Sequence, residues 1–190
     1  MTSEEWPPLP ESIQTPRLLL RRYRLSDAED SYAYARDPEW GRFLPPVPRP
    51  YERRHADEFV AGQVLAKWDQ EPAWAIEHEG RLVGGVSLRL APRNERAELG
   101  YSIARWLWGR GLATEAVSAV IDAAFRCLPL RKIAARAVAA NLGSIRVMEK
   151  VGMRHEGVLR QHWVVHGQTC DSVHYGLLRK EWERQADARR

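Results

Sequence analysis

Cysteine is scarce in this sequence of 190 residues. The two cysteines, Cys127 and Cys170, are too few for a disulfide framework and do not form a metal-binding cluster. The six histidines are scattered without metal-ligand spacing, so we expect no metal site. Because disulfides are rare in reducing compartments, we expect a cytoplasmic protein.

Long apolar runs are also missing. No segment approaches the roughly 18 consecutive apolar residues that a membrane-spanning helix needs. Residues 1–6 include Glu4 and Glu5 and lack an apolar core, which argues against a secretory signal peptide. We therefore expect no membrane partner. With 44% hydrophobic and 28% charged residues and a mean hydropathy of -0.49, the composition is typical of a globular domain.

Lysine is rare among the basic residues: only Lys67, Lys132, Lys150 and Lys180 are lysines, and the other basic residues are arginines. The formal net charge is +4. The arginines alternate with acidic residues and form no continuous basic stripe, so we expect no direct nucleic-acid partner. The charge permits an anionic ligand without identifying one.

Apolar spacing predicts one α+β domain over residues 1–190, with a loose leader at 1–15 and a charged tail at 183–190. The predicted strands are 17–25, 73–78, 81–90, 97–104, 133–138, 157–165 and 172–178. The predicted helices are one from a capping box of Ser26 and Glu29 to about Arg36, and those at 52–68, 111–126 and 142–151. Four prolines make 40–50 a loop. An antiparallel meander thus leads into one right-handed β-α-β crossover.

The most informative segment lies between strand 97–104 and the long helix. Gly109 and Gly111 allow a tight turn that directs successive N–H groups to one place. The helix N-terminus adds partial positive charge, so the segment is suited to a pyrophosphate. Arg110 and Arg105 would add charge-assisted contacts. The alternative is a tight helix entry without a ligand.

Two kinds of cofactor fit such a loop. A dinucleotide fingerprint needs a third glycine, where this chain has Thr114, and an acidic residue about 20 positions later. Residues 129–135 contain no acidic residue. The fingerprint also belongs to a β-α-β unit that begins a fold, whereas here a meander comes first. A nicotinamide cofactor is therefore a poor fit, and coenzyme A is the alternative.

Residues 108–113, WGRGLA, resemble the Q/R-x-x-G-x-G/A motif of the GNAT N-acetyltransferase superfamily. Trp108 replaces the usual Gln or Arg, and in this the chain is similar to the RimJ/RimL-like subgroup, which acetylates the N-termini of ribosomal proteins. The resemblance extends from about residue 15 to 182. It includes the segments at 98–101 and 141–152 and the closing hairpin with Asp171.

The resemblance implies a GNAT fold, a mixed and mostly antiparallel twisted sheet whose parallel strands, 97–104 and 133–138, separate to admit acetyl-CoA. It implies that backbone groups of Ser102 and Ile103 bind the pantetheine arm as though it were another strand. The loop that would bind the pyrophosphate consists of Trp108, Gly109, Arg110, Gly111, Leu112, Ala113 and Thr114.

The resemblance also implies the catalytic residues. Glu98 matches the family's general base and would act directly or through a water molecule. The alternative is an exposed glutamate paired with Arg96 or Arg89. Asn141 and Ser144 match the subgroup's Asn-x-x-Ser, in which the asparagine contacts the cofactor and the serine protonates the thiolate.

Helix capping by Asn141 is compatible with such a contact, whereas the alternative for Ser144 is a surface hydroxyl. Met148 stands where many relatives have a tyrosine acid.

Trp40, Phe43 and Tyr101 are candidates for binding the acceptor. At neutral pH an α-amine, with a pKa of about 7.7–8.0, is neutral hundreds of times more often than a lysine, with a pKa of about 10.4. We therefore expect acetyl transfer to a protein N-terminus. The alternatives are acetylation of a small-molecule amine, and a non-catalytic module that senses acyl-CoA or docks on the ribosome. The oligomeric state is left open, with a homodimer among the arrangements.

Overall fold

The computed structural model describes residues 6–44 and 47–188, in which eight strands form one sheet that five α-helices accompany. The strands are β1 (Ser12–Gln14), β2 (Leu19–Arg22), β3 (Ala73–His78), β4 (Arg81–Ala91), β5 (Arg96–Ile103), β6 (Lys132–Val138), β7 (Arg154–Val165) and β8 (Gln168–Leu178). The helices are α1 (Ala28–Ala35), α2 (Arg53–Leu65), α3 (Leu112–Cys127), α4 (Leu142–Lys150) and α5 (Arg179–Ala188). In these two ranges no helix has the length and apolar character to cross a membrane.

Parts of three predicted segments lie outside the described residues. They are the first five residues of the leader, Pro45 and Pro46 of the proline-rich loop, and the last two residues of the tail.

The strand order is β1-β2-β3-β4-β5-β6-β8-β7. Only β5 and β6 pair in parallel among the described strands, and α3 connects them. A parallel pair requires such a crossover connection, whereas short turns join the antiparallel pairs β1–β2, β3–β4, β4–β5 and β7–β8. The predicted α+β fold with one β-α-β crossover is confirmed.

The core lies between the sheet and its helices. The side of α3 that packs on the sheet carries most of the apolar residues whose spacing predicted the helix, and the buried ones are Ala116, Val117, Val120, Ile121, Ala124 and Phe125, with Leu112 in addition. Successive strand residues point to opposite faces of the sheet. Helices lie on both faces and cover the apolar side chains there.

We name the two faces after β5 residues. α4 lies on the Tyr101 face, where its Ser144 contacts the Tyr101 hydroxyl, and α3 packs beside α4. α2 lies on the opposite face, the Glu98 face, where its Gln63 and Ser87 of β4 line the same cavity.

The start of α1 differs from the predicted capping box. A 3-10 turn, Leu25–Asp27, precedes the helix, and the Asp27 carboxylate accepts the Arg24 N–H at 2.8 Å. Asp27 also binds the buried Arg21 guanidinium at 2.8 and 2.9 Å. The predicted pairing of Ser26 with Glu29 is wrong, because the buried arginine requires a charged partner and Asp27 provides it.

The predicted loose leader is wrong for the residues next to the sheet. β1 pairs with β2, and Leu9 is buried. The carbonyl oxygens of Leu9 and Pro10 accept hydrogen bonds from the indole N–H groups of Trp68 and Trp74, at 3.0 and 2.9 Å. α2 ends before Trp68, which instead packs edge-on against Trp74. The indoles thus fix a segment whose prolines suggested mobility.

The predicted charged tail is helical up to Ala188, as part of α5. Trp182 stacks on Phe125 with ring centroids 5.3 Å apart, and its Nε1 donates to Asp122 at 2.5 Å. Arg179 donates to the carbonyl oxygens of Phe125, Leu128 and Leu130, so it caps the end of α3. One aromatic side chain in a polar segment therefore docks the C-terminal helix.

Trp182→Ala should lower the free energy of unfolding by about 2–3 kcal/mol, somewhat less than a fully buried aromatic loses on truncation. The variant removes both the stacking on Phe125 and the hydrogen bond to Asp122. Urea unfolding followed by circular dichroism measures the loss. The control is Trp106→Ala: Trp106 is 52% exposed, so its loss should stay below about 1 kcal/mol. Equal losses in the two variants would contradict the docked position of α5.

Candidate active site

The loop before α3 presents consecutive main-chain N–H groups. Gly109 and Gly111 both have φ of +77°, in the left-handed region that favours glycine. Among the described residues, nothing accepts a hydrogen bond from the N–H groups of residues 109–114, and the first helical bond runs from Glu115 to Gly111 at 3.0 Å. Unpaired donors at a helix N-terminus can bind an anionic group such as a phosphate.

Trp108 holds this loop against the end of β5. Its Nε1 donates a hydrogen bond of 2.9 Å to the carbonyl oxygen of Ile103. The indole is still 49% exposed, so it lies at the rim of the loop. This contact gives a structural reason for a tryptophan where the motif usually has Gln or Arg.

The loop is also held from the N-terminal segment. The Glu115 carboxylate accepts hydrogen bonds from Thr15 Oγ1 at 2.7 Å and from the Arg17 main-chain N–H at 2.9 Å, and it pairs with the Arg17 guanidinium at 2.6 Å. The guanidinium also donates to the carbonyl oxygen of Arg110 at 3.0 Å. Burial acts to raise the pKa of Glu115, but the hydrogen bonds from Thr15 and Arg17 outweigh it and lower the pKa.

Arg17 therefore holds the loop in place while its charge is paired with Glu115, and the sequence analysis did not predict this contact. Its position depends on Glu115, a residue of α3, and no local pattern around Arg17 indicates that partner. Arg105, which was expected to contact an anionic ligand, instead pairs with Asp37 at 2.5 Å. That pairing lowers the pKa of Asp37.

β5 and β6 separate partway along their length. Their pairing joins residues 96–99 to residues 132–135 and ends there. Beyond this point, residues 100–103 pair with β4, and residues 136–138 pair with β8. The two parallel strands thus separate as the family resemblance implied, and a gap opens in the sheet between them.

Two hydrogen bonds show which peptide groups of β5 face this gap. Ala104 N–H donates to Val83 in β4 at 2.7 Å, whereas Glu95 accepts a bond of 2.8 Å from Arg131, which precedes β6. Main-chain groups of successive strand residues point to alternate sides. Even-numbered residues of β5 therefore bond towards β4, and odd-numbered residues face β6.

This alternation corrects one predicted ligand of the pantetheine arm. Ser102 pairs with Gly85 in β4, so its peptide groups point away from the gap, and the expectation for Ser102 is wrong. Tyr101 offers its peptide groups to the gap instead. Ile103 also faces the gap, although its carbonyl oxygen accepts the Trp108 indole N–H.

The Tyr101 side chain crosses to α4. Its hydroxyl lies 2.8 Å from Ser144 Oγ and 2.9 Å from the Ser144 carbonyl oxygen. Asn141 caps α4 as predicted, since its Oδ1 accepts the Ser144 N–H at 3.1 Å. Burial raises the pKa of Tyr101 to about 12, against a lowering by the Ser144 hydrogen bond. That Tyr101 binds the acceptor stays a prediction; its side chain lies on the face of β5 opposite Glu98, because odd and even residues point to opposite faces.

Glu98 lies on the other face, in an ion pair. Its Oε1 is 2.7 Å from Nε of Arg136 in β6, and its side chain is 27% exposed. The Arg136 guanidinium also lies over the Trp163 ring, 5.4 Å from the centroid. An ion pair was the predicted alternative for Glu98, but the partner is Arg136 rather than Arg96 or Arg89.

His174 continues this row of side chains. It is the register partner of Arg136 in β8, and its Nε2 is hydrogen-bonded with Oγ of the buried Ser172 at 3.1 Å. Burial, followed by the charges of Arg136 and His162, lowers the pKa of His174, which favours the neutral imidazole. The sequence analysis missed Arg136, Trp163 and His174; a polar residue interrupting the apolar strand β6 was the available signal.

A cavity of about 320 Å³ lies on the Glu98 face of the sheet, between α2 and β4. Gln63 of α2 and both Ser87 and Arg89 of β4 line it. Arg89 is the register partner of Glu98, so the cavity lies over the strand next to β5, whereas the Glu98 carboxylate pairs with Arg136 in β6. Its volume lies within the range of small-ligand sites, about 300–1,000 Å³.

The loop at 37–44 and 47–50 lies near the end of the β7–β8 hairpin. The Gly41 carbonyl oxygen is 3.1 Å from Nε2 of His166, at the hairpin turn. Trp40 packs on Tyr34 with ring centroids 5.1 Å apart, and Phe43 is half-buried. That Trp40 and Phe43 bind the acceptor stays a prediction.

These elements form one continuous site. The loop at 109–114 can hold a phosphorylated group, and the gap offers peptide groups to an extended chain beside it. At the gap, a carboxylate lies on one face of the sheet and a pair of hydroxyls on the other. Such a site can bind a long anionic cofactor and remove a proton from a group that approaches from the Glu98 face.

Comparison with known families gives one match that spans most of the chain. Residues 17–154 match the acetyltransferase (GNAT) domain family. The described fold also agrees with solved structures: that of a GNAT-family acetyltransferase from Bacillus anthracis is 26% identical, with a TM-score of 0.80, over 90% of this chain and 99% of the other. Solved structures of this fold include complexes with acetyl-CoA and with CoA.

Two curated relatives bear on function. Bacillus licheniformis p20, named as an uncharacterized N-acetyltransferase, is 30% identical over 90% of this chain and 98% of its own. Bacillus subtilis YdaF, whose name provisionally assigns it as a ribosomal N-acetyltransferase, is 39% identical over 56% of this chain and 58% of its own. The predicted GNAT fold is confirmed.

Proposed function

The chain belongs to the GNAT acetyltransferase family, and we propose that it acetylates the α-amino group at the N-terminus of a protein. It is an N-acetyltransferase, like its relatives. The observation that carries the proposal is the gap between β5 and β6. It connects the phosphate-binding loop to the Glu98 face, so a bound acetyl donor and an amine can meet there.

The residues at the loop and the gap fit acetyl-CoA. The N–H groups of residues 109–114 match a pyrophosphate, and Arg110 can supply positive charge beside it, whereas the charge of Arg17 is paired with Glu115. The peptide groups of Tyr101 and Ile103 face the gap, where they can bind an amide-containing arm. When bound, acetyl-CoA supplies an acetyl group activated as a thioester.

Glu98 takes the proton from the acceptor amine. The ion pair with Arg136 engages Oε1, and this fixes the carboxylate at the gap with Oε2 as the proton acceptor, directly or through a water molecule. Ser144, on the Tyr101 face, donates a hydrogen bond from its hydroxyl group to the departing sulfur. The two residues act from opposite sides of the sheet, so neither blocks access by the other.

The choice of an α-amine rests on proton affinity and on similarity to YdaF. An α-amine needs little deprotonation near neutral pH, so one carboxylate suffices as the base. The cavity between α2 and β4, on the Glu98 face, would hold the first side chain of the acceptor, with Gln63, Ser87 and Arg89 as its polar contacts.

Gly109→Ala should raise the Kd for CoA at least tenfold. An added Cβ at Gly109 meets no protein atom within 4 Å, but an L side chain is strained at φ of +77°, so the loop should shift and its N–H groups should lose their common direction. Isothermal titration calorimetry measures the Kd. Gly167→Ala is a matched control, because Gly167 has φ of +80° and equally open surroundings but lies in the β7–β8 turn. Similar Kd values for both variants would place the phosphates elsewhere.

Peptides with a free N-terminus should be acetylated, and the same peptides with a blocked N-terminus and an internal lysine should not. The assay follows thiol release from acetyl-CoA across peptides with different first residues and a set of small amines, including antibiotics. Turnover confined to the small amines would replace the proposed acceptor by a small-molecule one. Absence of turnover with every amine, together with CoA binding, would indicate a non-catalytic module.

Glu98→Gln should lower kcat about 100-fold, the usual contribution of a general base, and leave the Kd for CoA unchanged. Steady-state kinetics with the best acceptor and calorimetry with CoA give the two values. The control is Glu156→Gln, which removes a carboxylate that pairs with Lys132 at 2.7 Å on the same sheet face. Unchanged kcat in Glu98→Gln would exclude Glu98 as the base.

A further inference from the structure

The hydroxyl groups of Tyr101 and Ser144 form a pair at the gap. Of these two hydroxyl groups, only that of Ser144 has a role in the proposed reaction so far. The phenolic oxygen is 2.8 Å from Ser144 Oγ and 2.9 Å from the Ser144 carbonyl oxygen. The Ser144 N–H donates a hydrogen bond to Oδ1 of Asn141, and this fixes the main chain of Ser144 at the start of α4. The hydroxyl pair is therefore held from two elements, β5 and α4.

The phenol has one proton and two acceptors within reach, so the pair has two proton arrangements. In the first, Tyr101 donates to the Ser144 carbonyl oxygen, and the Ser144 hydroxyl donates back to Tyr101. In the second, Tyr101 donates to Ser144 Oγ, which leaves the Ser144 proton available for a third atom. A negative charge near Ser144 Oγ favours the second arrangement, because it attracts that proton.

We propose that Tyr101 is a positioning residue that turns the Ser144 hydroxyl towards the departing sulfur by donating its own proton to Ser144 Oγ. The inference rests on the proposed acetyl transfer. The amine lone pair forms the new C–N bond, the C–S bond breaks with its electron pair on sulfur, and the amine proton goes to Glu98. The sulfur leaves as a thiolate hydrogen-bonded by Ser144, and it takes a proton from water after release.

The pair acts by hydrogen bonding and keeps its protons. A thiol has an ordinary pKa of about 8.5, whereas the pKa of Tyr101 is about 12. Proton transfer from the phenol to a thiolate would therefore be unfavourable. Two aligned hydroxyl dipoles instead stabilise the charge that develops on sulfur, and they do so in a site partly closed to water.

A double-mutant cycle tests the coupling. Tyr101→Phe should lower kcat about tenfold and change the KM for acetyl-CoA less than twofold, because the lost hydrogen bond matters when sulfur carries charge. Ser144→Ala should lower kcat at least as much. Adding Tyr101→Phe to Ser144→Ala should cause no further loss. The same tenfold loss in the Ser144→Ala background, or no loss in the wild-type background, would overturn the proposal.

Binding of CoA and desulfo-CoA, an analogue without the sulfur atom, gives a readout independent of turnover. At pH 9, where a thiol is largely ionised, calorimetry should show CoA binding about fivefold more tightly than desulfo-CoA. Tyr101→Phe should reduce the ratio of the two Kd values relative to the wild type. The double variant Tyr101→Phe, Ser144→Ala should have the same ratio as Ser144→Ala alone. If Ser144→Ala has the same ratio as the wild type, the hydroxyl pair does not contact the sulfur.

Two further measurements separate a structural effect from the proposed one. Thermal unfolding should show that Tyr101→Phe is folded. Tyr101→4-aminophenylalanine keeps an N–H donor at the same ring position and should recover most of the lost kcat; failure to recover would point to packing instead. The kinetic assays use whichever amine is turned over fastest, and calorimetry needs no acceptor, so a wrong acceptor class would leave these tests intact.

Discussion

The end of the β5–β6 pairing after Leu99 and Ala135 is the constraint on which the site depends. A continuous sheet would use every peptide group of β5 and would separate its two faces completely. Because the strands diverge, the odd-numbered residues of β5 retain unpaired peptide groups at the gap, and the two faces communicate there. Cofactor binding, the position of Glu98 and the hydroxyl pair on α4 all follow from this one interruption.

The loop before α3 shows how local and distant contacts share the work of forming a site. Glycines at 109 and 111 give the backbone its left-handed turns, and this part is encoded locally. Its attachment comes from elsewhere: Trp108 bonds to the end of β5, and Glu115 gathers Thr15 and Arg17 from the N-terminal segment. An exposed loop with free donors thus rests on a fixed support.

Periodicity predicted most of the sheet and the long helix, since β3 and α3 are set by which face each residue buries. It could not identify partners distant in sequence. Arg21 determines the role of Asp27, and Trp182 docks α5 in a segment that composition describes as polar. Arg136, 38 residues later in the sequence, likewise fixes the Glu98 carboxylate through an ion pair. The error over Ser102 was avoidable, because the alternation that placed Glu98 opposite Tyr101 also determines which peptide groups face each neighbouring strand.

That alternation has a consequence for how this enzyme can change during evolution. An inserted residue between Glu98 and Tyr101 would place the carboxylate and the phenol on the same face, and beyond the insertion it would turn the wrong peptide groups into the opening. The turn at 92–95, which comes before β5, carries no such restriction, nor does the β7–β8 turn at 166–167. Changes of length should therefore be tolerated around the strand and eliminated within it, so that new acceptor preferences arise from the surrounding loops.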